Sequence, residues 1–333
     1  MQFVAQTIIG LEKEAAIEIE ELISVKAKKL IPGRLIFDTT EQNAKELIYM
    51  TRGLIKVYEL RQQLEFTDKE HLVKEIDAGE IEDPFVVRCQ RDGEHEFQSI
   101  EAEQEIGEKI YESGHKVDLH SPKTTIIVDI MGKKAFVGID LTPKELSKRD
   151  YRIKAHPKSI NACLAYLTVR YSGWTKDKKL LDPNCKDGLI PIEAALWACN
   201  VPRGYFEKQH YENWDKKIDK QKLDITAADA LLPNVRSAEI NAKLAEIKKQ
   251  IDFRKIEIDW LDLKFEKESI DFIITSMDFE DKLFKRAEYL LAKTGKILMI
   301  SKRPEMASGK FKLVEKLEVM MSKGKYFLLT FKR

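Results

Sequence analysis

The sequence predicts an α/β protein whose C-terminal half is a doubly wound, mostly parallel sheet and whose N-terminal half consists of smaller α+β units. Three observations carry this. The chain has 333 residues, more than one ordinary core holds. From about Asn161 onward, strands alternate with helical runs of roughly 10–15 residues, the rhythm of a parallel sheet. Before Asn161, short strands and helices interleave without that spacing.

Taken in order, "QFVAQTII" is a strand. "LEKEAAIEIEELI" is a helix with Leu11, Ala15, Ile19 and Leu22 on one side. "RLIFDTT" is a strand, "EQNAKELIYMT" a helix, and "LIKVYELRQQLEF" alternates as a half-buried strand does. This gives an N-terminal unit of ferredoxin-like type over residues 1–64. A second unit, 65–142, runs helix "KEHLVKEID", strand "PFVVRCQR", helix "SIEAEQEIGEKIYESG", then a hairpin of "TTIIVDIM" and "KAFVGIDL" around Gly132-Lys133. The two units are expected to pack as one module. Residues 143–158 form a basic connector in which Lys144, Lys148, Arg149, Arg152, Lys154 and Lys158 face only Glu145 and Asp150. His120 and His156 stand near prolines in polar loops, where solvation is the ordinary state.

Residues 159–333 carry the doubly wound pattern: helix "NACLAYLTVRYSGW", strand "KLLDP", strand "KLDITAAD", helix "VRSAEINAKLAEIKKQ", strands "KIEID" and "IDFIITS", helix "EDKLFKRAEYLLAK" and strand "GKILMIS". "KFKLVEKLEVMMSK" and "KYFLLTFKR" close the sheet as an antiparallel edge pair. A net charge of +1 excludes a polycation, so nucleic-acid affinity must come from local patches. Cys89, Cys163, Cys185 and Cys199 lie far apart with no C-x-x-C pair, which argues against zinc or a disulfide framework and fits a reducing cytoplasm. No apolar run approaches the ~20 residues of a membrane span, and the N-terminus lacks a secretory apolar core.

"PFVVRCQR…IGEKIYESGHKVDLHSPKTTIIVDI" resembles a THUMP domain, and "LSKRDYRIKAHPKSINACLAYL" resembles the joint between THUMP and methyltransferase domains. The resemblance implies binding of structured RNA, tRNA above all. "LLDPNCKDGLIPIEAAL" resembles the first motif of S-adenosylmethionine-dependent guanine-N2 RNA methyltransferases, with Asp182, Pro183, Cys185, Gly188, Glu193 and Ala194 matching. "VPRGYFEKQHYENWD" resembles the segment that follows in that group, and "ITAADALLPNVRSAEINAKLAEI" its second motif, with the pair Asn241-Ala242 matching. The resemblance implies a Rossmann-like class I methyltransferase fold. It also implies Asp182, Cys185 and Gly188 at the cofactor loop, Asp229 as acceptor of the ribose hydroxyls and Asp259 as acceptor of the adenine amine. No metal is implied.

Two departures stand at ligand-facing loops. Lys186 and Asp187 replace residues of a Gly-[ST]-Gly run whose glycines take φ > 0; a lysine there costs on the order of 1 kcal/mol. Lys186 is expected either to pair with Asp187 or another local acid and fill the site, or to reach towards the cofactor carboxylate, which Asp187 would repel. The second departure is Ser276-Met277-Asp278-Phe279 in place of N-P-P-Y or D-P-P-Y. In the family pattern the Asn or Asp and a backbone carbonyl orient the attacking amine, and the aromatic ring stacks on the base. Ser276, Asp278 and Phe279 are the candidates for those tasks here.

Two functions follow. One is methyl transfer to guanine N2 of tRNA. The other is RNA binding by a catalytically inactive relative, working with a protein partner. A third, a nucleotide-binding α/β enzyme with an accidental resemblance, has two ordered resemblances against it. Under both leading readings Lys148, Arg149 and Arg152 are expected to form a basic RNA-binding surface leading to residues 65–140.

Overall fold

The computed structural model describes residues 1–142, 144–207, 218–277, 281–306, 308–321 and 324–333. The N-terminal half opens with β1 (Gln2–Thr7), α1 (Glu12–Ile23), β2 (Lys28–Ile31), β3 (Arg34–Asp38), α2 (Glu41–Met50) and β4 (Leu54–Glu65). It continues with α3 (Lys69–Glu75), β5 (Phe85–Asp92), α4 (Ser99–Glu112), β6 (Thr124–Met131) and β7 (Lys134–Asp140). Side-chain caps set the helix starts: Thr40 accepts Asn43 N–H at 3.2 Å and Asp68 accepts His71 N–H at 2.8 Å.

All seven strands form one sheet in the order β2-β3-β1-β4-β7-β6-β5. β4 joins its halves. Residues Leu54–Glu59 pair with β1, and Tyr58–Glu65 pair with β7. Gly138 permits the close approach, since a Cβ there would lie 2.1 Å from Glu59 O. The sheet is curled. Arg34 on β3 grips Asp129 on β6 through Nε at 2.5 Å and Nη2 at 2.8 Å, and Gln6 and Tyr58 donate to the same carboxylate. Four strand spacings would separate those positions by about 19 Å in a flat sheet.

The C-terminal half contains α5 (Ala162–Ser172), β8 (Leu180–Asp182), α6 (Leu189–Ala198), β9 (Ile225–Asp229), α7 (Leu232–Leu244) and β10 (Ile251–Lys255). β11 (Ile270–Ser276), α8 (Asp281–Leu290), β12 (Leu291–Ser301), β13 (Lys312–Met321) and β14 (Gly324–Lys332) complete it. Its sheet runs β10-β9-β8-β11-β12-β14-β13, parallel from β10 to β12 and antiparallel at β14 and β13. This is the doubly wound sheet closed by an antiparallel pair that the sequence predicts.

Two strands differ from expectation. β10 is Ile251–Lys255, not "KIEID", because Ile258–Leu263 turn into a short 3-10 helix. β2 is an added edge strand whose four residues, two of them lysines, are too few to show alternation. The packing also differs. The N-terminal unit shares a sheet with its neighbour, yet its helices share a core with the C-terminal half: Ala15, Ile19, Leu47 and Ile48 belong to the same cluster as Leu164, Leu167, Leu196 and Trp174. The cause lies in α5 and α6, which are apolar on nearly every side and need covering on two faces. Residues 65–137 keep a separate core around Phe85, Ile106 and Val128. No helix among the described residues is long and apolar enough to cross a membrane.

Candidate cofactor crevice and its joint to the linker

β8 ends at Asp182, in the middle of the sheet. Its side chain is buried, and Oδ1 accepts the Thr275 hydroxyl at 2.8 Å and Asn184 N–H at 3.1 Å. Burial raises its pKa to about 7, against the pull of those two donors and of Lys186; Asp229 adds to the rise. Cys185 is buried, its N–H donates to Ala228 O, and burial pushes its thiol well above the usual value.

Lys186 adopts φ 53°, the left-handed region that the glycine pattern foretold. Its N–H donates to Asp229 Oδ2 at 3.1 Å, and its Nζ donates to Ser276 O at 2.5 Å and lies 3.5 Å from Ser276 Oγ. Asn184 Nδ2 donates to the same carbonyl at 3.0 Å. The first loop of the sheet is therefore tied to the end of β11. The ammonium reaches a backbone carbonyl that neither expectation named, and its charge also acts on the buried Asp182.

Asp187 does not face the crevice. Its buried carboxylate accepts Arg152 Nε and Nη2, both at 2.8 Å, His156 N–H at 3.2 Å and the Ser159 hydroxyl. The expected repulsion of a cofactor acid is thus corrected; Asp187 anchors the linker. Gly188, at φ 84°, starts α6 where a Cβ would lie 2.8 Å from Ala238 Cβ. Asn241 fastens the same joint, donating to Asp187 O and Lys154 O and accepting Lys154 N–H.

The other predicted residues also have partners. Asp229 closes β9, and its Oδ1 accepts Leu231 N–H at 2.9 Å and Asn234 Nδ2 at 3.0 Å. Asp259 follows β10 and faces α8, pairing with Lys282 and, at 3.9 Å, with Arg286; Lys282 holds its pKa below the usual value. Ser276 ends β11. Asp278, Phe279 and residues 208–217 lie outside the described residues.

Arg149 is a correction. It is buried and donates Nε to Glu193 Oε1 at 2.7 Å and Nη2 to Arg52 O at 2.7 Å, so it is no part of a basic surface. Glu193 also receives Arg52 Nη1 at 2.9 Å and the Tyr151 hydroxyl at 2.7 Å. The two guanidinium charges keep this carboxyl ionised despite burial. Arg52 comes from the N-terminal unit, so the cluster joins that unit, the linker and α6. A carboxylate inside "LIPIEAALWA" signals that a buried counter-charge is needed, but not which one. Arg152 faces Asp187 and is partly exposed, while Lys148 stays exposed, its ammonium 3.9 Å from Glu145.

The space bounded by Asp182, Asn184, Cys185, Lys186 and Ser276 is about 10 Å³, room for about one water. As described, that space is too small for S-adenosylmethionine, with Lys186 reaching across it to Ser276; Asp229 accepts N–H groups of Lys186, Leu231 and Asn234, which leaves its carboxylate room for a further donor.

Comparison with known proteins gives concordant matches. The RMKL-like methyltransferase domain matches residues 149–291 and the THUMP domain matches residues 65–140. A tRNA (guanine(6)-N2)-methyltransferase of Archaeoglobus fulgidus is 31% identical over 272 residues, 77% of this chain and 69% of that protein. One from Methanocaldococcus jannaschii is 28% identical, covering 93% of this chain and 94% of its own. The solved structure of a possible methylase from Clostridium difficile 630 superposes with a TM-score of 0.81 over 99% of this chain and 97% of that one, at 21% identity.

Proposed function

Because the chain belongs to the THUMP-bearing family of S-adenosylmethionine-dependent tRNA guanine-N2 methyltransferases, we propose that it binds tRNA and serves methylation of a guanine N2, through a crevice that opens only when Lys186 leaves Ser276. The observation that carries the proposal is the 31% identity spread over 77% of the chain. The doubly wound sheet supports it by setting Asp182, Asp229 and Ser276 at the carboxyl ends of adjacent strands, where such sheets hold ligands. The cofactor of the family supplies an electrophilic methyl. This chain would supply the crevice, and the THUMP-matching unit the RNA contact. The cytoplasm is the compartment this function implies.

A second reading, tRNA binding without methyl transfer, is favoured by the Lys186–Ser276 contact and by serine in the place of the family's Asn or Asp. One experiment separates the two. Unmodified tRNA transcripts are incubated with the protein and methyl-labelled cofactor, and binding is followed in parallel by anisotropy. Binding with label on guanine N2 is the expected result. Binding without label selects the second reading, and no binding removes both.

A further inference from the structure

We propose that the cavity between the linker and the β13–β14 pair receives one phosphate-flanked nucleotide of the bound tRNA, a proposal that rests on the tRNA reading above. The cavity is about 610 Å³, within the roughly 300–1,000 Å³ of sites that take a small ligand. Its walls include Ser147, Lys148, Arg152, His156 and Ser159 from the linker and Tyr326 from β14.

The chemistry of these walls suits a nucleotide. Lys148 presents a side chain that is 74% exposed. Arg152 borders the cavity while its Nε edge holds Asp187. His156 Nδ1 accepts Lys158 N–H, which leaves Nε2 to carry the ring proton of the neutral form and act as donor. Tyr326 offers an aromatic surface, with Lys302 Nζ 5.6 Å from its ring centroid. Stacking on such a ring combined with cations along the backbone is how single-stranded nucleotides are held. Glu145, the acid in the lining, is already engaged by the Ser147 hydroxyl and by Lys148.

Position points the same way. Ser159 and Ile160 line both this cavity and the crevice at Lys186, so a base in the cavity lies against the closed end of the crevice. The groove of about 450 Å³ between α4 and β5 is a poor alternative for an anion: its lining is largely apolar, carries Glu103 and Glu108, and has Arg88 3.8 Å from Glu103. The linker therefore has two faces. Arg149 turns inward to hold the fold, Lys148 turns outward, and Arg152, His156 and Ser159 both hold Asp187 and border the cavity.

The test uses the full-length protein and tRNA transcripts, titrated across a range of salt. Lys148→Ala is expected to lower the salt slope of binding by about one unit. Tyr326→Ala is expected to weaken binding about fivefold or more with the slope unchanged. Lys148 is exposed, so Lys148→Ala should melt as the parent does; Tyr326 also packs against the main core, so the affinity of Tyr326→Ala is read at a temperature well below its own melting point. Free guanosine monophosphate is expected to leave the tRNA complex intact; its displacing tRNA at micromolar concentration would overturn the assignment in favour of a free nucleotide. If the parent binds tRNA and neither variant changes affinity or slope, the cavity proposal is wrong and the tRNA reading stands. If the parent binds no tRNA, both fall.

Discussion

The joint around Glu193 and the crevice around Lys186 lie on opposite sides of Gly188 in one short stretch of chain, and both place a charged side chain among buried partners. At the joint the carboxylate of Glu193 meets the guanidinium groups of Arg52 and Arg149 and the Tyr151 hydroxyl. Charge is matched by charge, and three segments of the chain depend on the match. At the crevice the ammonium of Lys186 meets the carbonyl of Ser276, while Asp182 and Asp229 are satisfied by other donors. A neutral acceptor contributes less to a cation than a carboxylate does. The difference teaches that a departure from the family pattern does not by itself mark a ligand contact: Asp187 departs from it and holds the linker, whereas Asp182 and Asp229 match it and end strands at the crevice.

The sharpest way to break this comparison is to remove the charge at the joint. Glu193→Gln leaves two buried guanidinium groups without their counter-ion, and loss of one partner from a buried pair costs about 3–5 kcal/mol. Urea unfolding should register that loss as a large fall in midpoint. A loss below about 1 kcal/mol would mean that the joint is solvated and that the three segments are held by apolar packing alone.

A smaller, pH-dependent effect is expected at Asp182. Its folded pKa of about 7 lies above the ordinary value of 3.8, so between those limits the folded protein keeps a proton that the unfolded chain has lost. Stability from this group is therefore fully present below about pH 4 and is lost as pH rises towards 7, by at most about 1.4 kcal/mol per pH unit. Asp182→Asn keeps the acceptor for Thr275 and removes the titration. Unfolding of parent and variant compared from pH 4 to 7.5 should show the parent's stability falling relative to the variant's across that window. Parallel curves would mean that Asp182 is ionised throughout.

Much of the scaffold was legible in the sequence because local periodicity reports local structure. The alternating βα pattern gave the parallel sheet, and the twelve-residue alternation of "LIKVYELRQQLE" marked β4. What escaped was decided at long range. Arg149 reads as one more solvated charge in a basic linker, since nothing nearby in sequence announces Glu193. Asp187 reads as a misfit in a cofactor loop until Arg152, His156 and Ser159 are seen to converge on it. Lys186 was legible in part: the glycine pattern foretold its left-handed backbone, but its reach to Ser276 depended on how the ends of β8 and β11 meet. The two faces of the linker could not be told apart by counting charges.

The central claim is that Lys186, by spanning from the β8 loop to Ser276, keeps the crevice closed to S-adenosylmethionine. Its most direct test is calorimetric titration of that cofactor into the parent and into Lys186→Gly, with Asp187 left intact because it holds the linker. Glycine suits φ 53° and removes the strut, so the fold should survive. The account predicts weak binding by the parent and at least tenfold tighter binding by the variant, a change of about 1.4 kcal/mol. Equal affinities, or tight binding by the parent, would contradict it.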